Sequence, residues 1–448
     1  MLKIFRTMKK SINIISLSLI LFAAAILPCI TAAYGLPDWL YYISAAVFLA
    51  ANIFPAPFTA LPTRYRIACG GGNLLCAFLI LILPETVYCI AADVPQYGLF
   101  SSEFLRDGLI LYFSELIIFW NGIIRVYLSS SMLGTRLRIL GILCGLIPVV
   151  NIIVLLKIIS VVHQETDREE QRLKLRKSRI GKNICRTKYP IVLVHGVFFR
   201  DSRLFNYWGR IPRELEDNGA VIFYGSQQSA LNIKNSAVEL MRRIKEILEE
   251  TGSDKVNIIA HSKGGLDSRY AISCLGAAPY VASLTTINTP HRGCEFADWL
   301  LKNAPDVLKK TITEKYNAAF RLMGDSDPDF IGAVSDLTAE SCRSFNETVP
   351  DSPGVYYQSF GSKINRAMTS VFPLNFSHML ASRFEGENDG LVSVSSAQWG
   401  ENYTVLRSRD ADGISHADII DLFRHDKPDL DIREFYVKLV SDLREKGF

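Results

Sequence analysis

The stretch Val256-Asn-Ile-Ile-Ala-His-Ser-Lys-Gly-Gly265 decides the fold of the C-terminal part of this 448-residue chain. Its first residues form an apolar, β-rich run that is typical of a buried strand. The run leads directly into His261-Ser262-Lys263, with small residues at Ala260, Gly264 and Gly265. Small residues are needed at such a site because a sharp turn from strand to helix brings two backbones close together. The stretch therefore predicts a strand, a tight turn that presents Ser262, and a helix whose N-terminus favours negative charge at the serine.

Further strands and helices alternate around this stretch. Short apolar runs at Ile191–Val194 and Val281–Ile287 are fit for buried strands, and Ala237–Glu250 has a helical pattern. Strands that alternate with helices predict a mostly parallel sheet flanked by helices. With the serine turn, this pattern predicts an α/β-hydrolase domain over residues 187–448, with Ser262 as its nucleophile.

A second motif, Val192-Leu-Val-His-Gly-Val197, ends a predicted strand in His195-Gly196. Glycine allows the chain to turn so that the backbone N–H of Val197 points towards a developing oxyanion. The N–H of Lys263, which follows the nucleophile, is its expected partner. The His195 side chain is interpreted as structural.

A nucleophilic serine needs a base, and α/β-hydrolases carry the acid and then the histidine after the serine. His416 lies in Gly413-Ile-Ser-His-Ala-Asp418, near the end of the chain, and is the predicted base. Of the other downstream histidines, His291 is interpreted as structural, His378 precedes the predicted acid and so does not fit the order, and His425 is interpreted as a surface residue.

Asp389 is the predicted acid. It lies in Glu387-Asn-Asp-Gly-Leu-Val392, a turn before a short apolar run, between Ser262 and His416. Asp-Gly is also a common turn signal, so the motif alone does not decide. Asp412 and Glu385 are the alternatives.

The N-terminal third of the chain is predicted to be an α-helical, multi-pass membrane region at residues 1–163. Each of its apolar stretches is near the roughly 20 residues that cross a bilayer. They lie at about 12–33, 39–61, 67–92, 108–128 and 139–162. A signal peptide is an alternative for the first stretch, and buried core helices are an alternative for all of them.

Lys and Arg residues leave the orientation of the membrane region open, although a cell-membrane location is expected. Pro148 and Asn151 lie within the last stretch, which could therefore enter the membrane and return as a hairpin. Residues 164–186 form a charged linker, interpreted as helical and solvated or as a contact with anionic head groups.

The composition excludes two classes of function. A formal net charge of +4 implies no broad basic surface for nucleic acid. Nine cysteines without CxxC or Cys/His spacing indicate neither a metal site nor a disulfide framework.

The C-terminal part resembles the bacterial triacylglycerol lipases of the Pseudomonas/Burkholderia type. The resemblance rests on several short stretches: His195-Gly196, Tyr207-Trp208, Asn218–Ala220, the serine turn with Ser268–Tyr270, Val281–Asp298, Asn388–Gly390 and Ser415-His416. It implies Ser262, Asp389 and His416 as catalytic residues, with the Val197 and Lys263 N–H groups as oxyanion donors. It also implies a structural calcium near the histidine, for which Asp418 matches one ligand and no upstream partner is evident. No cofactor is otherwise required.

The expected function is hydrolysis of carboxylic esters, with an acyl-glycerol or other lipid as substrate and the bilayer as partner. Acyl transfer or thioester deacylation is an alternative, and a lipid-binding module without catalysis is another. Residues 299–345 are interpreted as a helical cap over an acyl pocket or as ordinary packing helices. Acyl length, head group and oligomeric state are open.

Overall fold

The computed structural model describes residues 2–56, 60–197, 206–228, 230–322, 328–366, 374–410, 412–427 and 429–448. The chain divides into two compact units, Met1–Ser178 and Arg179–Phe448.

Helices form the N-terminal unit. They are α1 (Leu2–Tyr34), α2 (Trp39–Ile53), α3 (Thr63–Tyr88), α4 (Val94–Tyr97), α5 (Ser102–Ser129), α6 (Gly134–Leu143) and α7 (Val150–Arg179). Among the described residues of this unit, three helical stretches are long and apolar enough to cross a membrane: Ser11–Tyr34, Thr63–Tyr97 and Ser102–Ser129. Helix α2 is also apolar but has only 15 residues.

The stretch at 139–162 is not one helix. It is divided between α6, which ends at Leu143, and α7, which begins at Val150. Pro148 lies in the gap, where its missing backbone N–H breaks no helical hydrogen bond. Asn151 is already within α7. Helix α7 continues through most of the predicted linker at 164–186.

The C-terminal unit is built on a six-stranded sheet in the order β2-β1-β3-β4-β5-β6, and every neighbouring pair is parallel. The strands are β1 (Ile191–Val194), β2 (Ile222–Tyr224), β3 (Val256–His261), β4 (Val281–Ile287), β5 (Tyr356–Ser362) and β6 (Asn402–Leu406). The predicted parallel sheet with flanking helices is therefore confirmed.

Nine helices of the described residues accompany this sheet. They are α8 (Ile211–Glu216), α9 (Ile233–Thr251), α10 (Lys263–Cys274), α11 (Glu295–Asn303), α12 (Asp306–Leu322), α13 (Phe330–Ser335), α14 (Ala339–Thr348), α15 (Leu374–Glu385) and α16 (Ile432–Glu445).

Both faces of the sheet are covered, which explains why its central strands read as continuous apolar runs. Successive side chains of a strand point to opposite faces. Ile191 and Leu193 of β1 accordingly pack in one core cluster with residues of α8 and α16. Val192 and Val194 pack in a second cluster with residues of α9 and α10.

Candidate active site

Ser262 lies at the turn between β3 and α10, at the carboxyl end of a central strand. Its backbone has φ 55° and ψ −132°, in a region that non-glycine residues rarely adopt, and its side chain is buried. The strain is typical of the predicted nucleophile turn, where surrounding structure holds a residue in an unfavourable conformation.

The small residues of both motifs are explained by close backbone approaches. A Cβ atom on Gly196 would lie 2.6 Å from Ser262 Cβ, and one on Gly264 would lie 2.5 Å from the His195 carbonyl oxygen. A Cβ atom on Gly265 would lie 2.2 Å from Thr289 Oγ1. The glycines thus bring the Val197 segment and the Ser262 turn together.

His416 and Asp389 are in direct contact although 27 positions separate them. His416 Nδ1 donates to Asp389 Oδ2 at 2.7 Å, and the His416 backbone N–H donates to the Asp389 carbonyl oxygen at 2.9 Å. Both side chains are buried. The bonded nitrogen is Nδ1, so Nε2 is the nitrogen left to exchange a proton with another group.

Backbone donors hold the other oxygen of Asp389. Its Oδ1 accepts the N–H groups of Leu391 and Val392 at 2.9 and 2.7 Å. Asp389 is therefore the carboxylate bonded to His416. Of the two alternatives, Glu385 accepts the N–H of Glu295 at the start of α11 instead.

His261 contacts both the His416 ring and the Tyr207 hydroxyl, and its sequence motif does not predict these contacts. Its ring lies against the His416 ring with centroids 4.4 Å apart. The Tyr207 hydroxyl accepts the Gly196 N–H at 3.1 Å and donates to His261 Nδ1 at 2.6 Å. Burial, with His416 nearby, holds the pKa of His261 well below 6.5, so the ring is neutral. The sequence placed Tyr207 and His261 in motifs, but nothing in it linked the two.

No hydrogen bond joins Ser262 and His416 within the described residues. His261, which precedes Ser262 in the chain, carries the close contact with the His416 ring. Catalytic hydrogen bonds in ligand-free enzymes are often long and shorten in the substrate complex.

The side chain of Lys263 is fixed inside the protein, so its backbone N–H is held next to Ser262. Its Nζ donates to Asp267 Oδ1 at 2.7 Å and to Ser236 Oγ at 2.9 Å, and both ends of the ion pair are buried. Burial raises the pKa of Asp267 to about 7, against the opposing effect of Lys263.

Val197, the other predicted oxyanion donor, is buried in a small apolar cluster with Ala230, Phe330 and Ala333. Phe330 and Ala333 belong to α13, within the cap segment predicted at 299–345. Part of that segment therefore packs against Val197, while Val307 is exposed. Residues 323–327 of the predicted cap lie outside the described residues.

The other histidines of the C-terminal unit have structural partners or lie at the surface. The His195 ring contacts the Gly196 and Gln227 carbonyl oxygens at 2.9 Å each. His291 is bonded to Thr286 Oγ1 at 2.9 Å. His378 Nδ1 donates to Asn388 Oδ1 at 2.8 Å, and His425 is exposed.

Asp418 does not fit the calcium site that the resemblance implied. Its Oδ2 accepts the N–H and hydroxyl of Ser415 at 3.0 and 2.7 Å, and the Lys427 ammonium lies 3.0 Å away. Calcium requires six to eight oxygen ligands. Across the described ranges, no group of three or more His, Cys, Asp or Glu residues could hold a metal ion.

Comparison with known proteins relates this unit to ester hydrolases. Residues 190–316 match a family model described as "Putative serine esterase (DUF676)". A triacylglycerol lipase of Pseudarthrobacter phenanthrenivorans is 36% identical over 176 residues, which are 37% of this chain and 54% of the relative. A triacylglycerol lipase of Burkholderia plantarii is 36% identical over 176 residues, or 37% of this chain and 49% of the relative. The chain thus spans about half the length of these curated relatives.

A crystal structure of the mature form of a Bacillus licheniformis lipase is 23% identical, with a TM-score of 0.43 over 57% of this chain and 92% of that one. The resemblance drawn from the motifs is confirmed by the family match and the curated relatives: part of the C-terminal unit is similar to triacylglycerol lipases.

Proposed function

We propose that this protein is a membrane-anchored serine hydrolase that cleaves the carboxylic esters of lipids. The observation that carries the proposal is the meeting of three features in one unit. Ser262 stands in a strained turn at the end of β3, the buried His416–Asp389 pair has its Nε2 available, and the His261 ring lies against His416. This is the arrangement needed for nucleophilic acyl transfer.

In this mechanism His416 Nε2 removes the proton of Ser262 Oγ as that oxygen attacks the ester carbonyl. The Val197 and Lys263 N–H groups stabilise the oxyanion that forms. Asp389 keeps the proton on His416 Nδ1 and stabilises the imidazolium. His416 then protonates the leaving alcohol, and water releases the acyl group from Ser262 by the same steps.

The lipid substrate is inferred from two observations. The curated relatives are named triacylglycerol lipases. The described part of the same chain contains three helical stretches that are long and apolar enough to cross a bilayer. An enzyme anchored in a membrane meets acyl-glycerols and other membrane esters at high local concentration.

The decisive experiment measures hydrolysis of p-nitrophenyl esters from acetate to palmitate by membranes that contain the full-length chain. We expect Ser262→Ala to reduce the rate by at least about 10³-fold, because no other group supplies the nucleophile. Ser344→Ala, an exposed serine of the same unit, is the matched control and should retain full activity.

Activity that rises with acyl length and vanishes in Ser262→Ala supports a lipase. Activity confined to short esters supports an esterase and removes the lipid substrate from the proposal. If wild type and Ser262→Ala are equally inactive on every ester, catalysis is contradicted.

Membrane anchoring has its own test. We expect the full-length chain to stay in the pellet when membranes are washed with alkaline carbonate and to be released only by detergent, because the apolar helices would expose large hydrophobic surfaces in water. Release by carbonate alone would contradict the anchor without affecting the proposed chemistry.

A further inference from the structure

We propose that the ammonium group of Lys427 takes the place of a structural divalent cation beside His416. The inference extends the proposed function, since Lys427 is assigned as a positioning residue for His416. It starts from the disagreement at Asp418, the residue that matches a calcium ligand of the lipases but is bonded here to a lysine.

Asp418 closes the turn that carries His416. Its Oδ2 accepts both the N–H and the hydroxyl of Ser415, and its own N–H donates to Ser415 Oγ at 3.2 Å. Ser415 directly precedes His416, so these bonds set the path of the backbone at the histidine. The His416 N–H is in turn bonded to the Asp389 carbonyl oxygen.

Lys427 supplies the positive charge at this turn. Its Nζ lies 3.0 Å from Asp418 Oδ2, and the lysine is only 9% exposed. Asp418 is only partly exposed, and a carboxylate withdrawn from water is costly without a partner, so the Lys427 ammonium compensates its charge. It also bonds the turn to a residue nine positions further along the chain.

The surroundings leave little place for a divalent cation. A cation bound to Asp418 Oδ2 would lie within several ångströms of the Lys427 ammonium and be repelled by it. Other carboxylates of this segment are also engaged by arginine: Arg210 donates to both oxygens of Asp421 at 2.7 Å each and to Asp426 at 2.9 Å.

The test compares the full-length wild type with Lys427→Asp, purified in detergent micelles, with EDTA and with millimolar calcium. We expect neither EDTA nor calcium to change the kcat or the melting temperature of the wild type. We expect Lys427→Asp to lose kcat by on the order of 10- to 100-fold with little change in KM, because a misplaced base slows chemistry more than binding. Millimolar calcium should restore part of kcat and raise the melting temperature, because the variant places two negative charges side by side and a cation between them, with water completing its ligands, relieves their repulsion.

Two further variants keep the test decisive. Lys438→Asp makes the same charge change on the exposed side of α16 and should respond to neither reagent. Lys427→Met removes the charge with little change in length and should lower kcat without rescue by calcium, even if Lys427→Asp fails to fold.

Loss of wild-type activity or stability in EDTA, regained with calcium, would overturn the inference, as would a Lys427→Met variant with full kcat. If the wild type hydrolyses no ester, the proposed function fails, but the melting temperatures still decide the ion pair. The inference is supported if calcium raises the melting temperature of Lys427→Asp but not that of the wild type.

Discussion

Ser262 is held in its strained conformation by contacts that only glycine neighbours permit. Gly196 faces Ser262 itself: a Cβ atom on Gly196 would lie 2.6 Å from Ser262 Cβ and 3.2 Å from the His261 carbonyl oxygen. A single methyl group on Gly196 would therefore prevent the backbone that carries the Val197 N–H from lying this close to Ser262.

Gly196→Ala tests this approach. The new methyl group would lie 2.6 Å from Ser262 Cβ, so one of the two segments must shift. We expect kcat to fall by roughly 10²-fold, because displaced oxyanion donors lose their alignment. The measurement is ester hydrolysis, with Gly108→Ala, whose Cβ would have no atom within 4 Å, as the control. Unchanged kcat would mean that this contact does not position the site.

Asp389→Asn tests the orientation of the base. Asparagine keeps the size of the side chain, but it removes the charge that stabilises the His416 imidazolium and allows the wrong tautomer. We expect kcat to fall by about 10³- to 10⁴-fold with KM nearly unchanged. Glu385→Gln, at the alternative acid, should retain most of the activity. The opposite ranking of the two variants would transfer the role to Glu385.

At the scale of elements, helix α10 is joined to α9 by a hydrogen bond from the buried Lys263 ammonium group, which also forms an ion pair within α10. Lys263 Nζ bridges Asp267 on its own helix and Ser236 on α9. Because Lys263 also supplies the predicted oxyanion N–H, the bridge fixes the start of α10 where the chemistry takes place.

A double-mutant cycle measures this bridge. Lys263→Met or Asp267→Leu alone leaves one buried charge without its partner, which costs about 3–5 kcal/mol. We expect the double variant to be more stable than either single variant, because two apolar side chains replace both charges. Urea unfolding of the full-length chain in micelles gives the free energies. Additive losses would show that the two charges do not interact.

How much of the site could be predicted depends on how far apart in the sequence the interacting residues lie. The turn at Ser262 is local, and its strand, small residues and helix are all visible in ten consecutive positions. Asp389 and His416 required the known order of acid and base along the chain. The contact of His261 with His416 depends on tertiary packing between segments 155 positions apart, and no periodicity or spacing indicates it.

Lys427 was missed for a related reason. A lysine in the polar stretch His425-Asp426-Lys427 reads as a surface residue, and only the fold reveals that it is buried against Asp418. The N-terminal helices show the reverse case: composition predicts apolar helices, and Pro148, named from the sequence as the site of a possible hairpin, lies in the gap between α6 and α7.

At the scale of the whole C-terminal unit, buried neutral histidines couple its stability to pH. Burial holds the pKa values of His261 and His291 well below 6.5, with the Arg269 charge adding to the effect at His291. The unfolded chain binds these protons below about pH 6.5 and the folded chain does not. The two histidines therefore stabilise the fold above that pH, and their contribution is lost as the pH falls.

Buried acids act in the opposite direction. The pKa of Asp267 is raised to about 7 and that of Glu385 is also raised, so the folded chain holds these protons more firmly than the unfolded chain. Their contribution is largest at low pH and is lost as the pH rises through the folded pKa. The free energy of unfolding of the wild type therefore contains opposing pH-dependent contributions from histidines and acids. The difference between the wild type and a variant that lacks one such residue isolates the contribution of that residue.

His291→Gln isolates one histidine. At pH 7.5 the variant loses the bond to Thr286 Oγ1 and the stacking on Trp399, so it should be less stable than the wild type. Below pH 6.5 the wild type alone carries the proton penalty of His291, and the gap should narrow by up to about 1.4 kcal/mol per pH unit. Urea unfolding of both full-length chains between pH 5 and 8, followed by tryptophan fluorescence, gives this gap. A gap that is constant with pH would mean that His291 titrates alike in both states, which its complete burial against Arg269 opposes.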